Sequence, residues 1–473
     1  MFMMMRRFKA ALALLLVAGM SMTSFGCGEK TESFKEMDSS VREEVASLAG
    51  EDDRLTGELE NKTIKWLSDW DINPGTTAKS TPVDLAMFQE RYGGKVEWIS
   101  CTYEERYDKL ANSINSDEGI DFFYGGNFDA FPKGAIRGMF VPADDYIDFT
   151  TDAWKDIKEA NDNIMWNGKH YMTVTQVTGD GCAVIYNRDT IEELGFDDPA
   201  ELFEKGEWTW EAFQEMLEAF VDPENGKYGI DGWWFEGGLS ATTGVPYIGL
   251  KDGKLVNNLT DPSVERVQNF MYDLYTSNAV AIGVGDYGWT AHPEYIGEGK
   301  LLFYPVGLWA LYGGDLDTKD DDARPDWMKQ FGDNCFFVPM PRDPDADEYY
   351  IPTNMESYLF VAGGHNPEGV AKYLECKRVA MMNEEAIRIG NEAFIADYQW
   401  SEEMIEMKKK MDEIALENPT FDFMNGVSTD LADILDDNVN GVRAAAKGTP
   451  WNESLSMIKD AVQTMVDEAN NAQ

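Results

Sequence analysis

CAVIYNRDTIEELGFDDPAELFEKGEWTWEAFQEMLEAFVDPENGKYGIDGWW, residues Cys182 to Trp234, carries the pattern on which the fold is read. Ala183 to Tyr186 is a short apolar run of the kind that fills a buried strand. A short helix follows. Asp189 is placed to cap it, Glu192 stands three residues on, and Gly195 can stop it in a left-handed turn. A second helix starts at Thr209 and sets Phe213, Met216, Leu217 and Phe220 on one face. Asp222-Pro223 ends it, and a Gly-rich turn leads through Tyr228 to the adjacent Trp233 and Trp234. No side chain here is an evident catalyst. The pattern is a packed βα scaffold that delivers aromatic rings to a loop.

The chain on the N-terminal side alternates in the same way. KTIKWL (62–67) reads as a strand, followed by the loop SDWDINPGTTAKS. Thr81 is expected to cap a helix with Pro82 at its first position, Asp84 in its first turn and Gly93 at its end. KVEWISC (95–101) is the next strand, and Tyr103, Tyr107, Leu110 and Ile114 fall on one side of the helix after it. IDFFY (120–124) is a third strand and ends in Gly125-Gly126-Asn127. The βαβαβ order predicts a parallel sheet covered on both faces, an α/β fold. Ligands of such sheets bind beyond the carboxyl ends of the strands. The loops after Leu67 and Tyr124 therefore stand at the mouth of a site. At the far end of the chain, Trp451, Leu455, Ile458, Val462 and Met465 make the apolar face of a last helix.

The segments YNRDTIEELGFDDPAE and TWEAFQEMLEAFVDPENGKYGI resemble the centre of the extracellular solute-binding proteins (family 1) of carbohydrate ABC importers, relatives of the maltose-binding protein. MWNGKHYMTVTQ upstream, and EGKLLFYPVGLWAL and FFVPMP downstream, are similar to further landmarks of that family in the expected order. The resemblance covers roughly residues 61 to 466.

The first thirty residues read as an address. Arg6, Arg7 and Lys9 precede the apolar run Ala10 to Met20, which is too short to span a bilayer. SFGC at Cys27 resembles a bacterial lipobox, although Ser24 and Phe25 stand where that motif has an aliphatic and a small residue. Residues 1–26 are thus expected to be a lipoprotein signal peptide and Cys27 the lipidated residue; the other reading is cleavage nearby with Cys27 free. Residues 27–60 are polar and acidic, the composition of a flexible tether. A docked helix is the alternative there, since Val41, Val45 and Leu48 keep helical spacing.

The remaining chain of some 410 residues is too long for one core and suits two lobes. No second apolar run is long enough for a transmembrane helix. The net charge of −46 repels nucleic acid and anionic lipid, which demand basic patches. Five cysteines show no CxxC spacing, and Cys101, Cys182, Cys335 and Cys376 stand in apolar contexts that suit buried free thiols. Three scattered histidines give no metal site. DPDADE at Asp343 and DLDTKD at Asp315 alternate acids but lack the Gly and Glu of calcium loops, so both read as solvated loops.

The resemblance implies a two-lobed periplasmic-binding-protein-like fold (type II) with a multi-strand hinge. Residues 61–173 plus 304–376 would form lobe one, and 177–303 plus 377–473 lobe two. Crossings are expected near Thr173 to Val177, near Leu302 to Phe303 and near Cys376. A sugar site needs flat rings to stack on apolar C–H faces and polar groups for hydroxyls. The candidates are Ser68, Asp69, Trp70 and Asn127 from lobe one. Trp234, Glu236, Tyr287 and Trp289 come from lobe two. Trp309 and Tyr312 follow the crossing strand, where GLWALY resembles the family segment GPWAW. Trp66 and Trp233 are assigned to packing. The family's C-terminal aromatic has no clear counterpart; Asp430 or Leu431 falls near it.

The expected function is a lipid-anchored receptor on the extracytoplasmic face of the cell membrane. It captures a carbohydrate, expected to be an oligosaccharide, and delivers it to ABC permease subunits, with no cofactor, no metal and no nucleic acid. Two rivals stand beside it: a secreted glycoside hydrolase, which needs two carboxylates at a fixed separation, and a receptor serving a membrane sensor.

Overall fold

The computed structural model describes residues 37–74, 80–126, 128–284, 287–312, 324–329, 334–439 and 448–472. The signal segment, Cys27, Asn127 and the acidic run at Asp315 lie outside these residues. The strands, in chain order, are β1 (Thr63–Ser68), β2 (Lys95–Ser100), β3 (Phe122–Tyr124), β4 (Phe140–Val141), β5 (Met172–Thr178), β6 (Ala183–Asn187), β7 (Tyr228–Ile230), β8 (Ile248–Lys251), β9 (Lys254–Asn257), β10 (Leu301–Val306), β11 (Cys335–Pro339) and β12 (Asn354–Val361).

One sheet runs β2-β1-β3-β12-β4, with β5 also paired to β12. Strands β1, β2 and β3 are parallel, as the βαβαβ order predicts. Strand β12 returns antiparallel to β3, β4 and β5. The second sheet runs β11-β6-β10-β7. Every residue of β6, β10 and β11 is buried, the signature of strands covered on both faces. Strands β8 and β9 form a hairpin that turns on Asp252 (φ 52°) and Gly253 (φ 72°). Both central residues of such a turn need positive φ, which Asp-Gly accommodates.

Local signals in the opening stretch hold with shifted ends. Thr209 caps the helix Trp210–Phe220, its side chain accepting from the Ala212 N–H, and Phe213, Met216, Leu217 and Phe220 are buried. Gly195 closes the helix Arg188–Leu194 at φ 76°, but its cap is Asn187, not Asp189. A further helix, Pro199–Lys205, capped by Asp198 with proline at its start, was not foreseen. The helix Val83–Tyr92 ends on Gly93 as expected, while Pro82 rather than Thr81 holds its cap position.

The lobe boundaries need correcting. Strands β10 and β11 both belong to the second sheet, so residues 304–339 do not join lobe one. The crossing expected at Leu302–Phe303 falls inside β10, and the one expected at Cys376 falls inside the helix Pro367–Met382. Thr173 to Val177 is the body of β5. The chain passes between sheets from Thr178 to Ala183 and from Pro339 to Asn354, and leaves the first lobe after Tyr398. The helix Glu384–Tyr398 packs on the helix Pro367–Met382 and stays with the first lobe. A wholly apolar strand such as LLFYPV announces burial but not its pairing partner, which tertiary contacts decide.

At the first passage Gly179 runs close under the helix Glu402–Glu417, which packs on both β5 and β11. A β-carbon at Gly179 would lie 2.5 Å from the Met411 carbonyl oxygen, so a side chain there would force the two backbones apart. The Gly179 N–H donates to Asp412 Oδ1 at 2.9 Å, and Lys408 Nζ donates to Asp412 Oδ2 at 2.6 Å.

Two polar segments are more ordered than their composition implies. Ser39–Glu51 is a helix with Val45 and Ala49 fully buried, and Leu55 and Leu59 are buried after it. Arg42 fixes its outer face on the first lobe, with Nε 2.6 Å from Glu90 Oε1. The tether expected over 27–60 therefore does not extend over 39–59. Asp343 is fully buried and ion-paired to Arg266 rather than solvated.

Candidate functional site

A cavity of about 530 Å³ opens between the two sheets. The first lobe lines it with Gly126 and Phe128, in the loop after β3 that topology placed at the mouth. The two inter-sheet passages contribute Gly181, Cys182 and Pro352 to Asn354. Across from these stand Trp233, Trp234, Glu236 and Asp436 of the second lobe.

The tryptophans are placed by local ties. Strand β7 ends at Ile230, and Asp231-Gly232 turns the chain so that both indoles precede the helix Phe235–Ala241. Asp231 is fully buried, and its Oδ2 accepts the His292 N–H at 2.6 Å. That bond draws the loop carrying Trp289 onto the end of β7. Burial pushes the Asp231 carboxyl above its usual range, against the backbone N–H donors that hold it down. Trp309 follows β10, where the Leu308 N–H donates to the Asp180 carbonyl at 3.0 Å. A β-carbon at Gly307 would lie 2.3 Å from the Trp309 indole nitrogen, so the ring rests where only glycine leaves room.

The result is two indole pairs. Trp234 and Trp309 meet edge-on with centroids 5.4 Å apart, and Trp233 stacks on Trp289 at 6.3 Å. The four are 39% to 59% exposed, whereas Trp66, Trp154, Trp166 and Trp208 are at most 2% exposed. Indoles left in water on this scale are not core. Trp233, assigned to packing from its sequence context, therefore belongs with the cavity wall. Trp289 and Trp309 do not line the cavity themselves but flank the two that do.

Glu236 is the polar group set deepest. It is 2% exposed, and the Tyr275 hydroxyl donates to its Oε1 at 2.6 Å. Burial pushes its carboxyl up to about 8, outweighing that hydrogen bond and favouring the protonated form. A protonated carboxyl both donates and accepts, which matches a sugar hydroxyl.

The other expected residues are placed elsewhere. Ser68 is buried and bonded within its own loop: its Oγ lies 3.3 Å from Asp69 Oδ1 and accepts the Trp70 N–H at 3.3 Å. Asp69 is exposed beside it, and neither lines the cavity. Trp70 is half-buried, packed edge-on against Trp66 at 5.3 Å and Tyr124 at 5.9 Å, with its carbonyl accepting the Trp66 Nε1–H. Tyr287 joins a separate cluster with Tyr228 and Tyr295, its hydroxyl donating to the Lys300 carbonyl at 3.1 Å. Tyr312 sits among Phe394, Tyr398 and Trp400, with centroids 5.2 to 5.9 Å away. Near the expected C-terminal position, Leu431 is fully buried, and Asp436 of the same helix reaches the cavity instead. Phe128 and Asn354 were missed; the only signal for Phe128 was its place just beyond β3.

Cys182 lies in the cavity wall with its thiol 3.8 Å from Met340 Sδ, and burial pushes that thiol up. It, Cys101, Cys335 and Cys376 are free. Among the described residues no three of His, Cys, Asp or Glu converge to hold a metal ion, and no helix is long and apolar enough to cross a membrane.

Comparison with known proteins agrees with this architecture. Residues 85–388 match the family model of bacterial extracellular solute-binding proteins. A maltotriose-binding protein of Pyrococcus abyssi is 23% identical over 308 residues, 62% of this chain and 60% of that relative's length. The GacH receptor of Streptomyces glaucescens, solved unliganded and with acarbose, superposes with a TM-score of 0.59 at 16% identity, over 86% of this chain and 98% of its own. An ABC substrate-binding protein from Listeria monocytogenes in complex with cycloalternan gives 0.57 at 16% identity, over 88% and 98%. Those two solved structures share the two-lobed architecture. With a family model that covers the whole second sheet and every strand of the first but β1, the chain belongs to the bacterial extracellular solute-binding proteins.

Proposed function

We propose that the protein is a carbohydrate receptor that holds an oligosaccharide between its lobes and delivers it to an ABC permease. The observation that carries this reading is the pair of indole pairs at the cavity, Trp234 with Trp309 and Trp233 with Trp289. Flat exposed rings suit the apolar faces of sugars, and Glu236 beside them supplies a hydroxyl partner. The carbohydrate ligands named for the relatives above point the same way.

A thermal-shift screen of sugars against the full chain tests it, since a ligand that binds only the folded state raises Tm. Malto-, cello-, xylo- and manno-oligosaccharides are the first probes, and at least one series should raise Tm in proportion to the logarithm of its concentration. Failure of every series would overturn the reading. The hydrolase alternative draws support from Glu236, whose raised carboxyl shares the cavity with Asp436. The expected outcome is no cleavage product after prolonged incubation with the binding sugar; product would favour the hydrolase.

Anchoring rests on the lipobox-like SFGC. Cys27→Ala should release the protein from the membrane fraction while leaving sugar affinity unchanged. Equal retention of the variant would remove the lipid anchor from the proposal.

A further inference from the structure

The cavity continues beyond Glu236. Its second-lobe wall runs on through the helix Phe235–Ala241 to a second cavity of about 220 Å³, which shares Phe128 and Gly237 with the first. That one shares Pro246 and Thr420 with a third, of about 600 Å³. The third lies between residues 162–168 of the first lobe and the β8–β9 hairpin, with Pro419 to Phe423 along its side. The second-lobe wall advances in chain order, from residues 233–238 to 237–247 to 246–258. The three cavities are successive parts of one seam between the lobes.

The junctions carry sugar-like chemistry. Phe128 and Phe421, both half-buried and 5.7 Å apart, stand where the cavities join and pack over the buried Phe423. Phe128 holds φ 54°, a backbone region that bulky residues rarely adopt, and the fold keeps it there at this crossing point. Ser240, Asp422 and Asn425 line the middle cavity, with Asp422 already accepting the Tyr247, Ile248 and Met424 N–H groups. The far rim is open to solvent, with Asn163 exposed on one side and Val256 exposed on the other.

We infer that the cleft is an open-ended trench, and that its ligand class is a linear carbohydrate chain whose distal units lie between Asn163 and the β8–β9 hairpin. This rests on the carbohydrate reading above. A trench closed behind the tryptophans would reward only short ligands. One that continues past Phe128 and Phe421 adds contact with each further unit until the chain reaches the far rim.

Calorimetric titration of the full chain with malto-, cello-, xylo- and manno-oligosaccharides of two to eight units tests this. In the series that binds, affinity should keep rising after the tryptophan cavity is filled, by at least about tenfold between the short and long members, or about 1.4 kcal/mol. Asn163→Trp, which puts a bulky ring across the far cavity, should remove that gain and leave the shortest binding member within about twofold of wild type. Val256→Arg does the same from the opposite wall and serves if the first variant fails to fold. Affinity that levels off at the shortest binding member, or variants that weaken short and long chains alike, would overturn the inference while leaving the carbohydrate reading intact. Failure of every series at any length would overturn both.

Discussion

Trp309 and Trp70 are alike in sequence, each an indole in the loop after a strand, and the fold treats them differently. Trp309 is 54% exposed and touches Trp234, whereas Trp70 is half-buried against Trp66 and Tyr124. Trp309→Ala should therefore weaken sugar binding about tenfold or more, for a stacking contact of on the order of 1–2 kcal/mol, with Tm nearly unchanged. Trp70→Ala should lower Tm by several degrees. Gly307→Ala is the control: its added methyl displaces the Trp309 ring without deleting it, and should reproduce the loss of affinity. Calorimetry and thermal melts on the same samples check all three, and an unfolded Trp309→Ala would make that ring core. The residue types of the site were legible in the sequence, their placement less so. Ser68 and Glu236 are both polar residues near candidate loops, and only the packing of Tyr275 and the helix Phe235–Ala241 sets Glu236 in the cavity. Trp233 looked like core because tryptophan usually is.

Elements were the most legible level, since helices and strands announce themselves through short-range periodicity and caps. The helix Trp210–Phe220 follows from residues within a few positions of each other, and the parallel β1, β2 and β3 from the βαβαβ order of such short elements. What failed were two matters decided at long range: whether β10 joins the first sheet or the second, and whether an acidic helix finds a surface. Ser39–Glu51 shows the second case. Its apolar face is narrow, but Val45 and Ala49 are fully buried against the first lobe. Val45→Ala should then cost on the order of 1–3 kcal/mol, read as a lower denaturation midpoint at unchanged slope. A helix that merely belonged to a tether would leave the midpoint where it is.

At the scale of the molecule, two lobes joined by three passages have few ways to move other than to close. Sugar that touches both walls of the cavity favours the closed form by its differential contacts. Scattering from the chain lacking residues 1–36 should show the radius of gyration fall on saturation with the binding sugar, while far-ultraviolet circular dichroism stays flat. A saturating ligand that leaves the radius unchanged would place the site on one lobe or make the free form already closed. The two-lobed plan was legible through the order of several degenerate motifs, and its exact passages were not, because each passage is an irregular segment with no periodicity to read.

Strand β12 fixes when this molecule can exist at all. It lies at the middle of the first sheet, between β3 and the short β4, and carries β5 as well. It is also the last strand among the described residues, Asn354–Val361, separated from β3 by more than two hundred residues. A growing polypeptide that has made β1 to β5 thus holds three strands with no partner for the edge each will turn to β12. That edge waits through the synthesis of the entire second sheet. Domains of unbroken sequence fold as they emerge; this lobe cannot, and its long-range pairing makes it slow. For a chain of an extracellular family the consequence is a first lobe that stays without its central strand until all of the second sheet has been made.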